Sequence, residues 1–115
     1  MIRGELWWAD YGFPFGREPG YKRPVIIIQN DYFNNSKINT TIVIPLSTNV
    51  ILANVPGNIF IGKKESKLNY DSVILFSQVG VIDKQRLIEK ISKINREIML
   101  KIENSILFMF GIKMV

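Results

Sequence analysis

Short apolar runs rich in valine and isoleucine alternate along this sequence with turns that contain glycine or proline. Each run predicts a β-strand, and the runs are residues 4–9, 24–29, 40–46, 58–62 and 71–81. The first two are separated by residues 10–23, where three glycines and two prolines exclude regular structure. Many short strands joined by such turns predict a small, strongly curved sheet or barrel.

Two glycine or proline positions predict irregularities within these strands. Pro45 lies inside the third run and predicts an edge strand or a bulge, because proline has no N–H to donate. Gly80 predicts a bulge in the long fifth run. Pro56-Gly57 is a turn signal, and the polar segments 30–39 and 63–70 predict loops.

The pattern changes after the fifth run. Asp83 can cap one helical turn, and residues 87–94 fit either a helix or a strand. Asn95 predicts the start of a final helix that Gly111 would end. Its apolar stripe is Ile98, Ile102, Ile106 and Phe110. The helix is apolar on more than one face, so a second copy of the chain is expected to cover the remainder.

The length and composition limit the classes of function. A chain of 115 residues predicts one domain, residues 1–115. It has no cysteine and no histidine, which excludes thiolate zinc sites, cysteine nucleophiles and Ser-His arrangements. The net charge of +5 favours anionic partners. Neither a signal peptide nor a membrane-spanning run is visible, so the cytoplasm is the expected location and no membrane partner is expected.

The acidic residues predict structure more than chemistry. Asp10, Asp31, Asp71 and Asp83 lie in separate turns and lack the spacing of metal ligands. We interpret them as turn and cap residues. The expectation is therefore that the protein binds neither a metal nor a cofactor.

Three segments carry polar groups that the fold does not require. Arg17, Lys22 and Arg23 are cations in the first loop, and they fit either a solvated surface loop or a phosphate site in which Arg23 uses its guanidinium fork. Ser47-Thr48-Asn49 fits either a turn cap or a hydroxyl that faces that phosphate. Gln78 fits either a partner for backbone groups or a reader of a base edge.

The aromatic residues near the first strand leave similar alternatives. Trp7 and Trp8 are neighbours on a strand, so one ring points inward and the other outward. The inward ring belongs to the core. The outward ring, like that of Tyr21, fits an interface or a surface on which a nucleobase stacks.

Taken in order, these segments resemble the MazF/PemK toxin family of toxin–antitoxin systems. The resemblance is carried by Arg3-Gly4-Glu5-Leu6-Trp7-Trp8-Ala9-Asp10, Gly16-Arg17-Glu18, Lys22-Arg23-Pro24-Val25, Ile42-Val43-Ile44-Pro45-Leu46-Ser47-Thr48, Asp71-Ser72-Val73, Gln78 and Ile82-Asp83-Lys84-Gln85-Arg86-Leu87. It implies a mainly β fold, an SH3-like barrel with a C-terminal helix, in a homodimer. The implied activity is sequence-specific cleavage of single-stranded RNA, chiefly mRNA, without a metal. The implied partner is an antitoxin with an acidic, disordered C-terminal tail.

The resemblance also implies which residues act. The family's catalytic arginine matches Arg23, and its assisting threonine matches Ser47, with Thr48 adjacent. Some members use a histidine and an aspartate at positions that match Arg17 and Ser77, so that acid–base pair is absent here. The residues expected to bind RNA are Arg17, Glu18, Tyr21, Lys22, Asn49, Lys63, Lys64, Ser77 and Gln78.

The chemistry that suits these residues is transesterification by the ribose 2′-OH, which gives a 2′,3′-cyclic phosphate and a 5′-OH. Two other classes of function remain open. One is a toxin with the same barrel that binds a protein such as DNA gyrase, and the other is a nucleic-acid-binding module that cuts nothing.

Overall fold

The computed structural model describes residues 1–13, 16 and 21–113. Its strands are β1 (Glu5–Asp10), β2 (Lys22–Ile27), β3 (Thr40–Ser47), β4 (Ile59–Ile61), β5 (Ser72–Ile74), β6 (Gly80–Asp83) and β7 (Leu87–Lys93). Its α-helices are α1 (Asp31–Asn34), α2 (Lys63–Ser66) and α3 (Arg96–Met109), and 3-10 turns occupy Val50–Asn54, Phe76–Gln78 and Lys84–Arg86.

The strands form one antiparallel sheet of seven strands in the order β4-β5-β3-β2-β1-β7, with β6 paired to β3 outside that path. Strand β3 lies at its centre, because it pairs with β2 along one side and with both β6 and β5 along the other. This confirms the predicted mainly β fold with a C-terminal helix.

Two groups of buried side chains cover the two faces of the sheet. On one face, Leu6, Ile26 and Ile44 lie side by side on neighbouring strands and pack with Ile98 and Ile102 of α3. On the other, a smaller cluster is formed by Ala9, Val25, Ile27, Val43 and Ile82. The alternation of these residues along β1, β2 and β3 follows the two-residue repeat of a strand, so helix α3 and the small cluster hold opposite faces of the same strands.

Pro45 marks neither an edge strand nor a shift of register against β2, so the prediction of an edge or a bulge is wrong. It lies where the partner of β3 changes from β6, paired as far as Val43, to β5, paired from Leu46. Its carbonyl oxygen accepts the N–H of Leu75 at 3.0 Å. A missing N–H is tolerated on this side of β3 because neither the β6 ladder nor the β5 ladder includes Pro45, which pairs with Val25 of β2 on the other side.

The long fifth strand is also wrong as predicted, since a 3-10 turn at Phe76–Gln78 divides it into β5 and β6. The turn carries the Phe76 side chain into the core, where it is fully buried. Asn58 holds the turn by accepting the N–H of Phe76 at 3.0 Å. The interruption therefore allows the large aromatic side chain of Phe76 to enter the core. Strand β6 then begins at Gly80.

The remaining elements were predicted with mixed success. Asp83 caps the turn that follows it, residues 87–94 contain strand β7, and Asn95 caps α3 by accepting the N–H of Ile98 at 2.9 Å. The segments 30–39 and 63–70, predicted as loops, each contain a one-turn helix. Phe110 is 59% exposed, so the predicted apolar stripe of α3 is buried only through its first half.

The residues at the start of the chain fasten three elements together. The Arg3 guanidinium pairs with Glu103 of α3 at 3.1 Å, and its Nε donates to the carbonyl of Ile28 at 3.0 Å. Buried Glu5 accepts the N–H of Ile2 and pairs with Lys90 of β7 at 2.9 Å. These motif residues therefore build the fold and do not line the cleft described next.

Candidate active site

A cleft of about 440 Å³ opens where β2 begins, where β3 ends and where the chain enters β5. It is lined by Trp8, Tyr21, Lys22, Arg23, Pro24, Leu46, Ser47, Thr48, Leu68, Asn69, Tyr70 and Ser72. Five residues of the predicted site thus share this cleft, namely Tyr21, Lys22, Arg23, Ser47 and Thr48.

Strand pairing brings Arg23 and Ser47 to the same level. Strands β2 and β3 pair Ile26 with Ile44 and Val25 with Pro45. The same register, continued by two residues, sets Arg23 opposite Ser47, and both residues are half-buried. A guanidinium and a hydroxyl at one cleft wall suit a phosphate group, because arginine can hold two phosphate oxygens in its planar fork.

Ser47 fulfils the turn-cap interpretation and also lines the cleft. Its Oγ accepts the backbone N–H of Asn49 at 3.1 Å. A hydroxyl that accepts one hydrogen bond still has its own O–H to donate. Thr48 lines the same cleft but is exposed, so Ser47 is the better fixed of the two hydroxyls.

The tryptophan pair divides between core and cleft. The Trp7 indole N–H donates to Glu5 at 3.1 Å, and its ring packs against the smaller core cluster. Trp8 points to the opposite face and lines the cleft. Tyr21 and Tyr70 are the other aromatic residues of the lining, and they are 61% and 69% exposed.

Tyr11 lies close to Arg23 although no sequence pattern singled it out. It packs against the smaller core cluster, and its N–H donates to the carbonyl of Tyr21 at 2.8 Å. Burial raises the pKa of Tyr11 to about 12, and the positive charge of Arg23 opposes part of that rise. The phenol is therefore neutral at pH 7 beside the arginine.

Among residues 1–13, 16 and 21–113, the other predicted RNA-binding residues do not line this cleft. Asn49 follows Thr48 and is exposed, and Lys63 and Lys64 are exposed on α2. Ser77 and Gln78 belong to the 3-10 turn after β5, which packs against α3. The Gln78 Oε1 is buried and has no hydrogen-bond partner among the described residues. Arg17 and Glu18 lie outside the described residues.

Sequence reasoning missed the wall of the cleft that comes before β5. Leu68, Asn69 and Tyr70 lie in the segment 63–70, which was predicted as a polar loop and in which only Lys63 and Lys64 were predicted to bind RNA. The available signal was Tyr70, an aromatic residue that directly precedes Asp71-Ser72-Val73 of the family pattern. The loop's position opposite Arg23 depends on the pairing of β3 with β5, and no local pattern specifies that pairing.

Asp10, Asp71 and Asp83 have the turn and cap roles that the sequence predicted, whereas Asp31 joins α1 to the start of the chain. Asp10, Asp71 and Asp83 accept the backbone N–H groups of Gly12, Lys63 and Gln85 at 2.8–3.0 Å. Asp31 accepts the N–H of Arg3 at 2.8 Å, and hydrogen bonds from Asn34 and Arg3 lower the pKa of its carboxyl group.

The described part of the chain has neither a metal-binding cluster nor a membrane-spanning helix. No group of three or more His, Cys, Asp or Glu residues there could hold a metal ion. No helix there has both the length and the apolar character that crossing a membrane requires.

Comparisons with known proteins agree with one another. The sequence model of the family described as PemK-like, MazF-like toxin of type II toxin-antitoxin system matches residues 2–110. Endoribonuclease MazF6 of Mycobacterium tuberculosis is 32% identical over 106 residues, which cover 92% of this chain and 93% of that protein.

Solved structures share the fold. An endoribonuclease from a mycobacterial species, in complex with its cognate antitoxin, superposes with a TM-score of 0.79 at 17% identity and covers 100% of this chain and 99% of its own. MazF from Deinococcus radiodurans superposes with a TM-score of 0.79 at 16% identity, over 96% of each chain.

Proposed function

The chain belongs to the PemK-like, MazF-like toxin family of type II toxin–antitoxin systems, and we propose that it is an endoribonuclease that cuts single-stranded RNA, chiefly mRNA, at specific sequences and without a metal. The observation that carries this proposal is the cleft in which Arg23 and Ser47 share one wall. A protein that only bound another protein would not need a guanidinium and a hydroxyl fixed at one level of such a cleft. Because the proposed substrate is mRNA, we also propose that the enzyme acts in the cytoplasm.

The reaction that this wall suits is transesterification. The ribose 2′-oxygen loses its proton and bonds to the adjacent phosphorus, while the bond from phosphorus to the 5′-oxygen breaks and that oxygen gains a proton. The products are a 2′,3′-cyclic phosphate and a 5′-OH end. DNA has no 2′-OH, so it is not cleaved.

Arg23 and Ser47 have different roles in stabilising the reacting phosphate. The Arg23 guanidinium balances the extra negative charge of the five-coordinate phosphorus, and the Ser47 O–H donates to a non-bridging oxygen. Arginine does not release its proton near pH 7, so its contribution is charge and alignment. Preorganised donors of this kind supply much of the rate in sites without a strong base.

The cations around the cleft would follow the RNA backbone. Lys22 lines the cleft itself. Lys63 and Lys64 are exposed on α2, which shortly precedes the loop of residues 68–70 that also lines the cleft. We propose that an acidic, disordered antitoxin tail competes with RNA for these charges. Competition between a peptide of that composition and an uncleavable RNA tests this part; simultaneous binding at unchanged affinities would contradict it.

We further propose that the protein works as a homodimer. The last turn of α3 and the residues that follow it expose Phe108, Phe110 and Ile112, each more than half accessible. The turn at Gly57 lies beside Phe108 and Met109, so the exposed surface continues from the helix onto the loop that follows β3. A two-fold pair of chains would cover this surface on both copies.

Cleavage of RNA in the presence of EDTA tests the activity directly. Wild-type protein should cut RNA, and Arg23→Ala should cut about 10²–10³-fold more slowly, the usual cost of one preorganised donor. Arg23→Lys keeps the charge but loses the fork, so it should restore only part of the rate. Arg96→Ala removes an exposed arginine outside the cleft and is the matched control.

Two outcomes would contradict the proposal. If wild-type protein leaves RNA intact both with and without EDTA, a protein-binding toxin becomes the better explanation. If Arg23→Ala, with an unchanged circular dichroism spectrum, cuts at the wild-type rate, the phosphate site lies elsewhere.

A further inference from the structure

The cleft contains more aromatic surface than a phosphate site needs. A phosphate is held by cations and hydrogen-bond donors, which Arg23, Lys22 and Ser47 supply. Beyond these, the lining includes three aromatic rings, those of Trp8, Tyr21 and Tyr70, together with aliphatic side chains such as Leu68. Aromatic side chains beside a phosphate site are the surfaces on which unpaired nucleobases stack.

The two residues with strained backbone conformations both adjoin this cleft. Tyr21 and Lys67 have φ values of 59° and 68°, and no other described residue except glycine has a positive φ. Tyr21 lines the cleft, and Lys67 directly precedes Leu68, which also lines it. Such conformations persist where the surrounding structure fixes them, often at ligand clamps. Here they lie in, or directly beside, two different segments that line the cleft.

Hydrogen bonds fix the wall that carries Asn69 and Tyr70. The N–H of Leu68 donates to the Ser66 Oγ at 3.0 Å, and the Ser72 O–H donates to the carbonyl of Tyr70 at 3.2 Å. Both serines are buried, and Ser66 in turn accepts from Ser92 of β7 at 2.6 Å. The loop is therefore held at both ends while its two central side chains are exposed.

Asn69 is the lining residue best suited to read a base. Its amide has both donors and an acceptor, and no hydrogen bond engages it within residues 1–13, 16 and 21–113. Gln78 has the same chemistry, but it is half-buried in the turn that packs against α3 and lies outside the cleft. The position of Asn69 beside Tyr70 brings an amide edge next to a stacking surface.

We propose that this cleft binds one unstacked nucleobase next to the phosphate held by Arg23, with Tyr70 stacking on its face and Asn69 reading its edge. This inference rests on the proposed ribonuclease function and names a determinant of its sequence preference. It replaces Gln78 with Asn69 as the residue that selects a base in this cleft.

The test sequences the 5′ ends produced from a randomised pool of single-stranded RNA by the full-length protein. Asn69→Ala should lose the base preference at one position flanking the cut and keep it at the others. A second measurement uses a short RNA of the preferred sequence with a 2′-deoxy residue at the cut, which cannot react. Tyr70→Ala should weaken its binding about 5- to 150-fold, the range measured for loss of one stacked base.

Tyr70→Phe keeps the ring and should bind like wild type. Tyr32→Ala removes an aromatic ring that is 77% exposed on α1, outside the cleft, and is the control for unspecific loss of surface. An unchanged cleavage profile for Asn69→Ala, or equal binding by Tyr70→Ala and wild type, would overturn the inference while cleavage by wild type still supports the ribonuclease. Absence of cleavage by wild type would instead refute the proposed function.

Discussion

The buried carboxylate of Glu5 is predicted to make the stability of this protein depend on pH in acid. Its side chain is only 7% exposed, and its oxygens accept from the Ile2 N–H at 2.8 Å, the Trp7 indole at 3.1 Å and Lys90 at 2.9 Å. Burial by itself raises the pKa of Glu5, but these hydrogen bonds, first that from Lys90, outweigh it and hold the pKa below its ordinary value of 4.5.

The change Glu5→Gln measures the contribution of that charge. The amide oxygen can still accept from Ile2 and Trp7, so two charge-assisted hydrogen bonds become neutral ones, at a loss of about 1 kcal/mol each. Lys90 is half-exposed, so loss of its ion pair adds at most about 1 kcal/mol. The amide avoids the cost of burying a charge, which offsets part of the loss. We therefore expect the free energy of unfolding to fall by about 1–2 kcal/mol at pH 7.

The pH dependence has a definite sign. A carboxyl group whose pKa is lower in the folded state stabilises that state above its unfolded pKa, and the effect is lost as the pH falls through the folded pKa. The difference between wild type and Glu5→Gln should therefore be constant from pH 7 to about 5 and disappear as the pH falls further below 4.5. Asp31 also has a lowered pKa and titrates in both proteins, but the charge of Glu5 raises that pKa, so the contribution of Asp31 cancels only in part in the difference.

Urea unfolding, followed by tryptophan fluorescence between pH 3 and pH 7, measures this difference. Glu89→Gln removes an exposed carboxylate from β7 and should change little at any pH. An equal loss of stability in Glu5→Gln at pH 3 and pH 7 would refute the reasoning, because the charge of Glu5 could not then be its source.

Three further predictions concern the site, the assembly and the core. Ser47→Ala should lower kcat for RNA cleavage more than Thr48→Ala does, because the Ser47 hydroxyl is fixed by Asn49; a larger loss for Thr48→Ala would transfer the role to Thr48. Phe108→Ser should shift the mass measured by light scattering from dimer towards monomer at micromolar concentration, and a wild-type monomer would contradict the proposed assembly. Ile102→Ala should reduce the free energy of unfolding in urea by about 2–5 kcal/mol, since this fully buried side chain joins α3 to the sheet; a loss below about 1 kcal/mol would show that α3 contributes little to the core.

The elements that sequence patterns predicted well are those specified by local signals. Asn95 and Asp83 each supply a side-chain acceptor to an N–H a few residues ahead, and this geometry depends on neighbouring residues alone. The β-branched runs before residue 62 became strands because every second residue could enter one of the two cores. Local chemistry and burial favoured the same structure in these segments.

Predictions failed where a distant partner decided the outcome. Residues 71–81 are apolar enough for one strand, yet the core accepts Phe76 only if the chain turns there. Pro45 is compatible with a central strand because two different strands share one side of β3. No local sequence pattern indicates either the burial of Phe76 in the core or the change of strand partner along β3.

The candidate site shows the same division between local and distant information. Arg23 and Ser47 could be selected from residue type and from the family pattern, and the register of β2 with β3 explains why they lie at the same level of the cleft. The opposite wall comes from the segment before β5, whose position follows from pairing with the far end of β3. Substitutions at Asn69 and Tyr70 can therefore change which base is bound while Arg23 and Ser47 remain in place. This separation predicts that related toxins with different target sequences differ mainly in the wall before β5 and keep the wall made by β2 and β3.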